Sequence, residues 1–171
     1  AISGDLTKGL HPSGSTSYGT ITSIAVSPQT SNVIYVGTDD GNVQLSLDYG
    51  ANWALVSQNL PNRYVTEVAA DPRDSMTAYV TFSGFRSVDY LPHVFKTTDA
   101  GQTWQDISGN LPEVPVNDII IDPDFENAYY VATDLGVWYT HDGGESWNIL
   151  GDNLPITVVS DLAWHARSRT L

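Results

Sequence analysis

The sequence predicts an all-β protein built from one repeated unit of four short antiparallel strands. Three observations carry that reading. The octamer Ser/Thr-x-Asp-x-Gly-x-x-Trp occurs at Ser46–Trp53, Thr97–Trp104 and Thr140–Trp147. Its copies begin 51 residues (46 to 97) and 43 residues (97 to 140) apart, the period of a supersecondary repeat. No segment sustains the 3.6-residue apolar period of an amphipathic helix.

The elements follow in order around the octamers. Each unit opens on an apolar strand ending at a proline turn: Ile21–Pro28, Val65–Pro72 and Val116–Pro123. A degenerate fourth copy is Val158–His165, and the successive starts lie 44, 51 and 42 residues apart. Second strands are expected at Val33–Thr38, Ala78–Phe82 and Tyr129–Thr133. Third strands lead into the octamers at Asn42–Ser46, His93–Thr97 and Val137–Thr140. Fourth strands leave them at Asn52–Val56, Thr103–Ile107 and Ser146–Leu150. All are short, rich in β-branched and aromatic residues, and bounded by Gly, Pro, Asn or Asp. Asn-Leu-Pro then closes each unit, at Asn59–Pro61, Asn110–Pro112 and Asn153–Pro155.

The octamer has a structural explanation. Placed in the turn between third and fourth strands, Asp48, Asp99 and Asp142 can accept backbone N–H bonds within their own loops. Gly50, Gly101 and Gly144, or its neighbour Gly143, can supply positive φ. Trp53, Trp104 and Trp147 can pack beneath the turn against a neighbouring unit, and all three are expected to be buried.

With these motifs the chain resembles the Asp-box (BNR) repeat β-propellers. It is similar to the sortilin-type propellers and to bacterial secreted proteins of glycosyl-hydrolase-like type. The resemblance covers nearly the whole chain. It implies four-stranded blades, about three of them complete plus part of another. The expected divisions are a trailing segment and linker at 1–20, blades at 21–64, 65–115 and 116–157, and a further leading strand at 158–171. It implies a secreted or cell-surface protein, bacterial in type. It also implies that the Asp-box turns lie opposite the usual binding face. Sialidases, xyloglucanases, sorting receptors and photosystem assembly factors share the box, so it implies a fold and not a function.

Composition narrows the partners. Twenty acidic and seven basic residues give a net charge of −13, which argues against a nucleic-acid or anionic-membrane partner. No apolar run is long enough to span a membrane, so no membrane insertion is expected. Cysteine is absent. His11, His93, His141 and His165 are dispersed without metal-ligand spacing, and the acidic residues are scattered. No metal and no cofactor are expected.

Candidate ligand contacts fall on loops joining second to third strands and on loops joining blades. Asp39 and Asp40 belong to the first set, and Arg63 and Tyr64 to the second. An insertion, Ser83–Pro92, accounts for the longer spacing and carries Phe85, Arg86, Asp89 and Tyr90. Aromatics beside carboxylates can stack on sugar rings and hold their hydroxyls. The same loop could instead pack over the neighbouring blade. For catalysis the weak candidates are Asp118, Asp89 and Asp134, because a polysaccharide hydrolase needs only two opposed carboxylates. Asp118, on an innermost strand, can equally be a hydrogen-bonded channel residue. A sialidase-type arginine triad is not formed, since the five arginines do not recur at equivalent blade positions.

Two function classes follow. One is a non-catalytic propeller module that binds a protein or a carbohydrate. The other is part of a secreted, xyloglucanase-like glycoside hydrolase. Closed propellers have roughly four to eight blades, so the expected partners also include the remaining blades of a parent chain or a second copy of this one.

Overall fold

The computed structural model describes residues 3–9, 19–84, 93–151 and 155–171. Among these residues twelve strands form three four-stranded antiparallel sheets, each running in chain order from its first to its fourth strand. Blade 1 holds β1 (Ile21–Val26), β2 (Ile34–Thr38), β3 (Val43–Ser46) and β4 (Ala54–Leu55). Blade 2 holds β5 (Tyr64–Ala70), β6 (Ala78–Ser83), β7 (His93–Thr97) and β8 (Gln105–Asp106). Blade 3 holds β9 (Val116–Ile121), β10 (Tyr129–Thr133), β11 (Gly136–Thr140) and β12 (Asn148–Ile149). The outermost strands are two residues each, shorter than their sequence pattern suggests. Short edges limit strand addition from outside.

Register makes the repeat exact in space. Ile24 faces Val36, Val68 faces Val80 and Ile119 faces Val131. A bulge follows the first residue or two of β1 and β5 and recurs between β9 and β10. The antiparallel order places the proline turns and the octamers at one end of the strands, here called the box face. Loops 39–41 and 134–136, the end of β6 and the start of β7 lie at the other end, the loop face.

The core lies between blades, not within them. One buried cluster joins Tyr35, Val43 and Leu45 of blade 1 to Val65, Val68 and Phe82 of blade 2. A second joins Tyr79, Val94 and Ile107 of blade 2 to Val116, Ile119 and Trp147 of blade 3. Blades approach closely enough that a Cβ on Gly37 would come within 2.4 Å of Val65 Cγ1. This arrangement shows most clearly where a neighbour is missing. Val65 and Val68 are 0% and 2% exposed, and Val116 and Ile119 are 0% and 3%. Their counterparts on β1, Ile21 and Ile24, are 45% and 60% exposed.

The two flanking segments pack on this arc. Residues 3–9 lie over the loop face of blade 1, where Leu6 is buried and its carbonyl accepts from Asn42 and Gln44, each at 3.1 Å. Beyond blade 3, Val159 N donates to Thr133 O at 3.0 Å, and the Trp164 ring lies 6.4 Å from Tyr130. Residues 155–171 form no named strand, only a bridge between His165 and Thr170. The counterpart of Val65 and Val116 here is Val159, one residue later than the sequence alignment places it. Thr66 Oγ1 donates to Val116 O, and in the same way Asn117 Nδ2 donates to Val159 O.

Candidate functional site

The three octamer turns share one geometry. The first residue's hydroxyl accepts from the N–H four positions on: Gly50 to Ser46 at 2.8 Å, Gly101 to Thr97 at 2.8 Å and Gly144 to Thr140 at 3.1 Å. That hydroxyl also donates to the box carboxylate. The carboxylate in turn accepts the N–H of the residue four beyond it: Asn52 at 2.8 Å, Thr103 at 2.8 Å and Ser146 at 2.9 Å. The side chains of Asn52, Thr103 and Ser146 donate to its second oxygen. The turn needs two successive residues at positive φ: Tyr49 (61°) and Gly50 (84°), Ala100 (58°) and Gly101 (77°), Gly143 (79°) and Gly144 (96°). Gly144 is therefore the counterpart of Gly50 and Gly101, and Gly143 that of Tyr49 and Ala100.

The boxes also join blades. Trp104 Nε1 donates to Val56 O at 2.7 Å and Trp147 Nε1 to Ile107 O at 3.0 Å, so each ring reaches the exit of the preceding blade's fourth strand. A Cβ on Gly144 would meet that same Ile107 O at 2.4 Å. Asn110 of Asn-Leu-Pro clamps the next box, donating to Trp147 O at 3.0 Å and accepting from Trp147 N at 2.6 Å. Trp53 instead donates to Gly50 O in its own turn, at 2.9 Å. Only Trp147 is fully buried; Trp53 and Trp104 are half-buried. The expectation of three buried rings is corrected accordingly. Among the described residues no blade precedes Trp53, and Trp104 packs under the short, exposed β4.

Every box oxygen is thus spent within its own turn. These bonds hold Asp48, Asp99 and Asp142 below the usual carboxylate range, the paired side-chain donors Asn52, Thr103 and Ser146 being the largest cause.

A second row of groups lines the innermost strands. Ser23, Glu67 and Asp118 occupy one repeat position on β1, β5 and β9, followed by Asp161. Ser23 Oγ donates to Glu67 Oε1 at 2.6 Å and accepts from Val68 N at 3.2 Å. Asp118 accepts from Ile119 N and Leu162 N, both at 2.7 Å. Burial pushes both carboxyls up, and the facing acids add to this. Glu67 escaped the sequence reading, although its alignment with Asp118 was a visible signal.

The linkage signs of the two sets differ. The lowered box carboxylates contribute stability that is complete above their unfolded pKa and is lost as pH falls through the folded value. Glu67 and Asp118, raised by burial, oppose folding while charged, and that penalty is relieved as pH falls through their folded values. Melting temperature is therefore expected to hold or rise from pH 7 toward 5 and to drop steeply below about pH 4. Asp142→Asn should shrink the drop on the acid side. A melting temperature that falls steadily from pH 7 to 5 would contradict this assignment.

The loop-face candidates are mostly engaged. Asp39 accepts from Thr20 N and Thr20 Oγ1, both at 2.7 Å. Asp40 accepts from Lys8 N at 2.6 Å and Thr38 Oγ1 at 2.5 Å, and Lys8 Nζ also reaches Asn62. Asp134 accepts from Asn117 Nδ2 at 3.0 Å. Arg63 and Tyr64 lie half-buried at the start of β5, next to Gly41, whose Cβ would meet Arg63 N and O at 2.9 Å. Asp39, Asp40 and Arg63 thus share one corner, separate from Asp118 and Asp134. Phe85, Arg86, Asp89 and Tyr90 lie outside the described residues. Among the described residues no group of three His, Cys, Asp or Glu is placed to hold a metal ion. No helix among the described residues is long and apolar enough to cross a membrane.

No family model and no curated protein matches the sequence. Solved structures match its fold. An ancestral GH74 enzyme shares 21% identity at a TM-score of 0.64, covering 78% of this chain and 18% of that one. The GH74 xyloglucanase from Xanthomonas campestris shares 14% at 0.62, covering 79% and 24%. A chain of the nidogen/laminin complex shares 19% at 0.59, covering 80% and 50%. The chain thus spans between about a fifth and a half of the length of these structures. With three helix-free, four-stranded antiparallel sheets in sequence, it is an all-β partial propeller.

Proposed function

We propose that this chain is a scaffold module of an Asp-box β-propeller, secreted or displayed at the cell surface, that binds a protein or carbohydrate on its loop face. The observation that carries this reading is the state of the carboxylates. Both oxygens of Asp118 accept backbone N–H groups, and Asp39, Asp40 and Asp134 are held by scaffold donors. A glycosidase needs one carboxyl free to protonate the leaving group and another facing the sugar. Groups tied into the scaffold position loops instead. The likeness to two GH74 structures supports a second reading, in which this arc belongs to a glycoside hydrolase whose opposed carboxylates sit on other blades.

The test is the double substitution Phe85→Ala/Tyr90→Ala, with a glycan array, a protein-capture panel and reducing-sugar release from xyloglucan as readouts. The expected result is wild-type binding that the double variant loses, with stability changed by no more than about 0.5 kcal/mol, as for surface positions. Binding that survives both substitutions overturns the loop assignment. Sugar release by the wild type that survives Asp118→Asn would favour the hydrolase reading.

A further inference from the structure

Between blades 2 and 3, on the box face, lies a cleft of about 330 Å³. It opens where the repeat departs from itself. The third-strand residue opposite Tyr35 in blade 1 is Leu45; opposite Tyr79 in blade 2 it is Lys96. Leu45 is buried in the cluster between blades 1 and 2. The facing second-strand position changes in step: Ala78, opposite Thr97 in blade 2, becomes Tyr129, opposite Thr140 in blade 3. An apolar contact at the first interface has become a polar relay at the second.

The relay is specific. Lys96 Nζ donates to the Tyr129 hydroxyl at 3.1 Å and stands 5.6 and 5.7 Å from the ring centroids of Tyr79 and Tyr129. The Tyr79 hydroxyl lies 3.2 Å from that of Tyr129 and donates to Asp71 at 3.0 Å. Asp71 pairs with Arg73 at 3.2 Å. Burial alone would raise Asp71, but Arg73, its N–H and Tyr79 together hold it lowered. Both tyrosine rings are fully buried, so the relay is a rigid floor. Of the three ammonium donors on Lys96, one meets Tyr129; no carboxylate among the described residues lies within ion-pair distance of it. At the mouth, the Thr98 hydroxyl, the Glu126 carboxylate and the Asn127 amide nitrogen line the cleft and make no hydrogen bond among the described residues.

The chemistry of this lining selects a ligand class. Three acidic side chains against two basic ones, in a chain of net charge −13, oppose an anion. The Lys96 ammonium on the floor opposes a cation. The lining offers both spare donors (Lys96, Asn127) and spare acceptors (Glu126, Thr98), which matches hydroxyls that each donate and accept. The volume is at the low end of small-molecule sites, about 300–1,000 Å³. We propose that this inter-blade cleft is a binding site for a neutral polyhydroxylated ligand the size of one sugar residue. It lies at the opposite end of the strands from the loop face, so its outcome does not depend on the loop reading.

The experiment is an NMR titration of the full chain with D-glucose, D-galactose and D-xylose, with acetate and methylammonium as charged probes. The expected result is saturable shifts at the Thr98 and Asn127 amides with at least one sugar and none with either ion. Lys96→Met should weaken that sugar about tenfold, the loss of a charge-assisted hydrogen bond. Glu126→Gln and Asn127→Ala, at the exposed rim, give the same reading should Lys96→Met fail to fold. Phe85→Ala/Tyr90→Ala should leave the titration unchanged. Amides that stay unmoved by all three sugars, saturation by acetate or methylammonium, or full sugar affinity in the cleft variants would overturn the proposal.

Discussion

Trp147→Ala is expected to cost about 3–5 kcal/mol, the range for truncating a buried large aromatic. At roughly 2–4 °C per kcal/mol for a chain of this size, that is a fall of about 6–20 °C in melting temperature. The ring is 1% exposed and belongs to the cluster between blades 2 and 3. Its Nε1 is bonded to Ile107 O, and its backbone is clamped on both sides by Asn110. Truncation would open a cavity at the interface and strand the Ile107 carbonyl and its partners together. Trp104→Ala should cost less, because that ring is half-buried, although it keeps the bond to Val56 O. Trp53→Ala should cost least, since its Nε1 bond stays within its own turn. Urea titration of the three variants gives the ranking. Equal losses would mean that the tryptophans stabilise their own turns and not the contact between blades.

The repeat was legible because each of its parts answers a local demand that only a few residue types meet. A carboxylate, a hydroxyl two positions before it and a glycine two positions after it close a turn with two residues at positive φ. Such a turn is written in eight consecutive residues. Strand positions were legible for a related reason. Ile24, Val68 and Ile119 recur at one place because each is meant to face the preceding blade. What the repeat could not convey was context. Trp53 and Trp104 carry the same motif as Trp147, but their burial depends on what lies upstream. Val158 and Val159 are adjacent and alike, so the register is fixed by tertiary bonds, from Asn117 to Val159 O and from Leu162 N to Asp118. The candidate site was harder still. Asp39, Asp40 and Asp134 read as free carboxylates in sequence, yet their partners Thr20, Lys8 and Asn117 are set by tertiary folding. Lys96 passed unnoticed because a lysine before an octamer looks solvated. Only the register, which sets it in the place of Leu45, marks it as unusual.

Each blade is completed by its neighbour. Blade 1 then carries an unfilled interface. Ile21 and Ile24 are 45% and 60% exposed at positions that blades 2 and 3 bury. An uncapped terminal repeat exposes core surface in this way, and association removes it. Two copies related by a two-fold axis would bring six full blades together, within the range of roughly four to eight found in closed rings. The decisive measurement is light scattering of the dilute 171-residue chain, read alongside binding of an apolar-surface dye. The expected result is a species larger than the 18.6 kDa chain, with Ile24→Glu shifting it toward the monomer. A stable 18.6 kDa monomer with a cooperative melt and no dye binding would show that three blades suffice, and would contradict the claim.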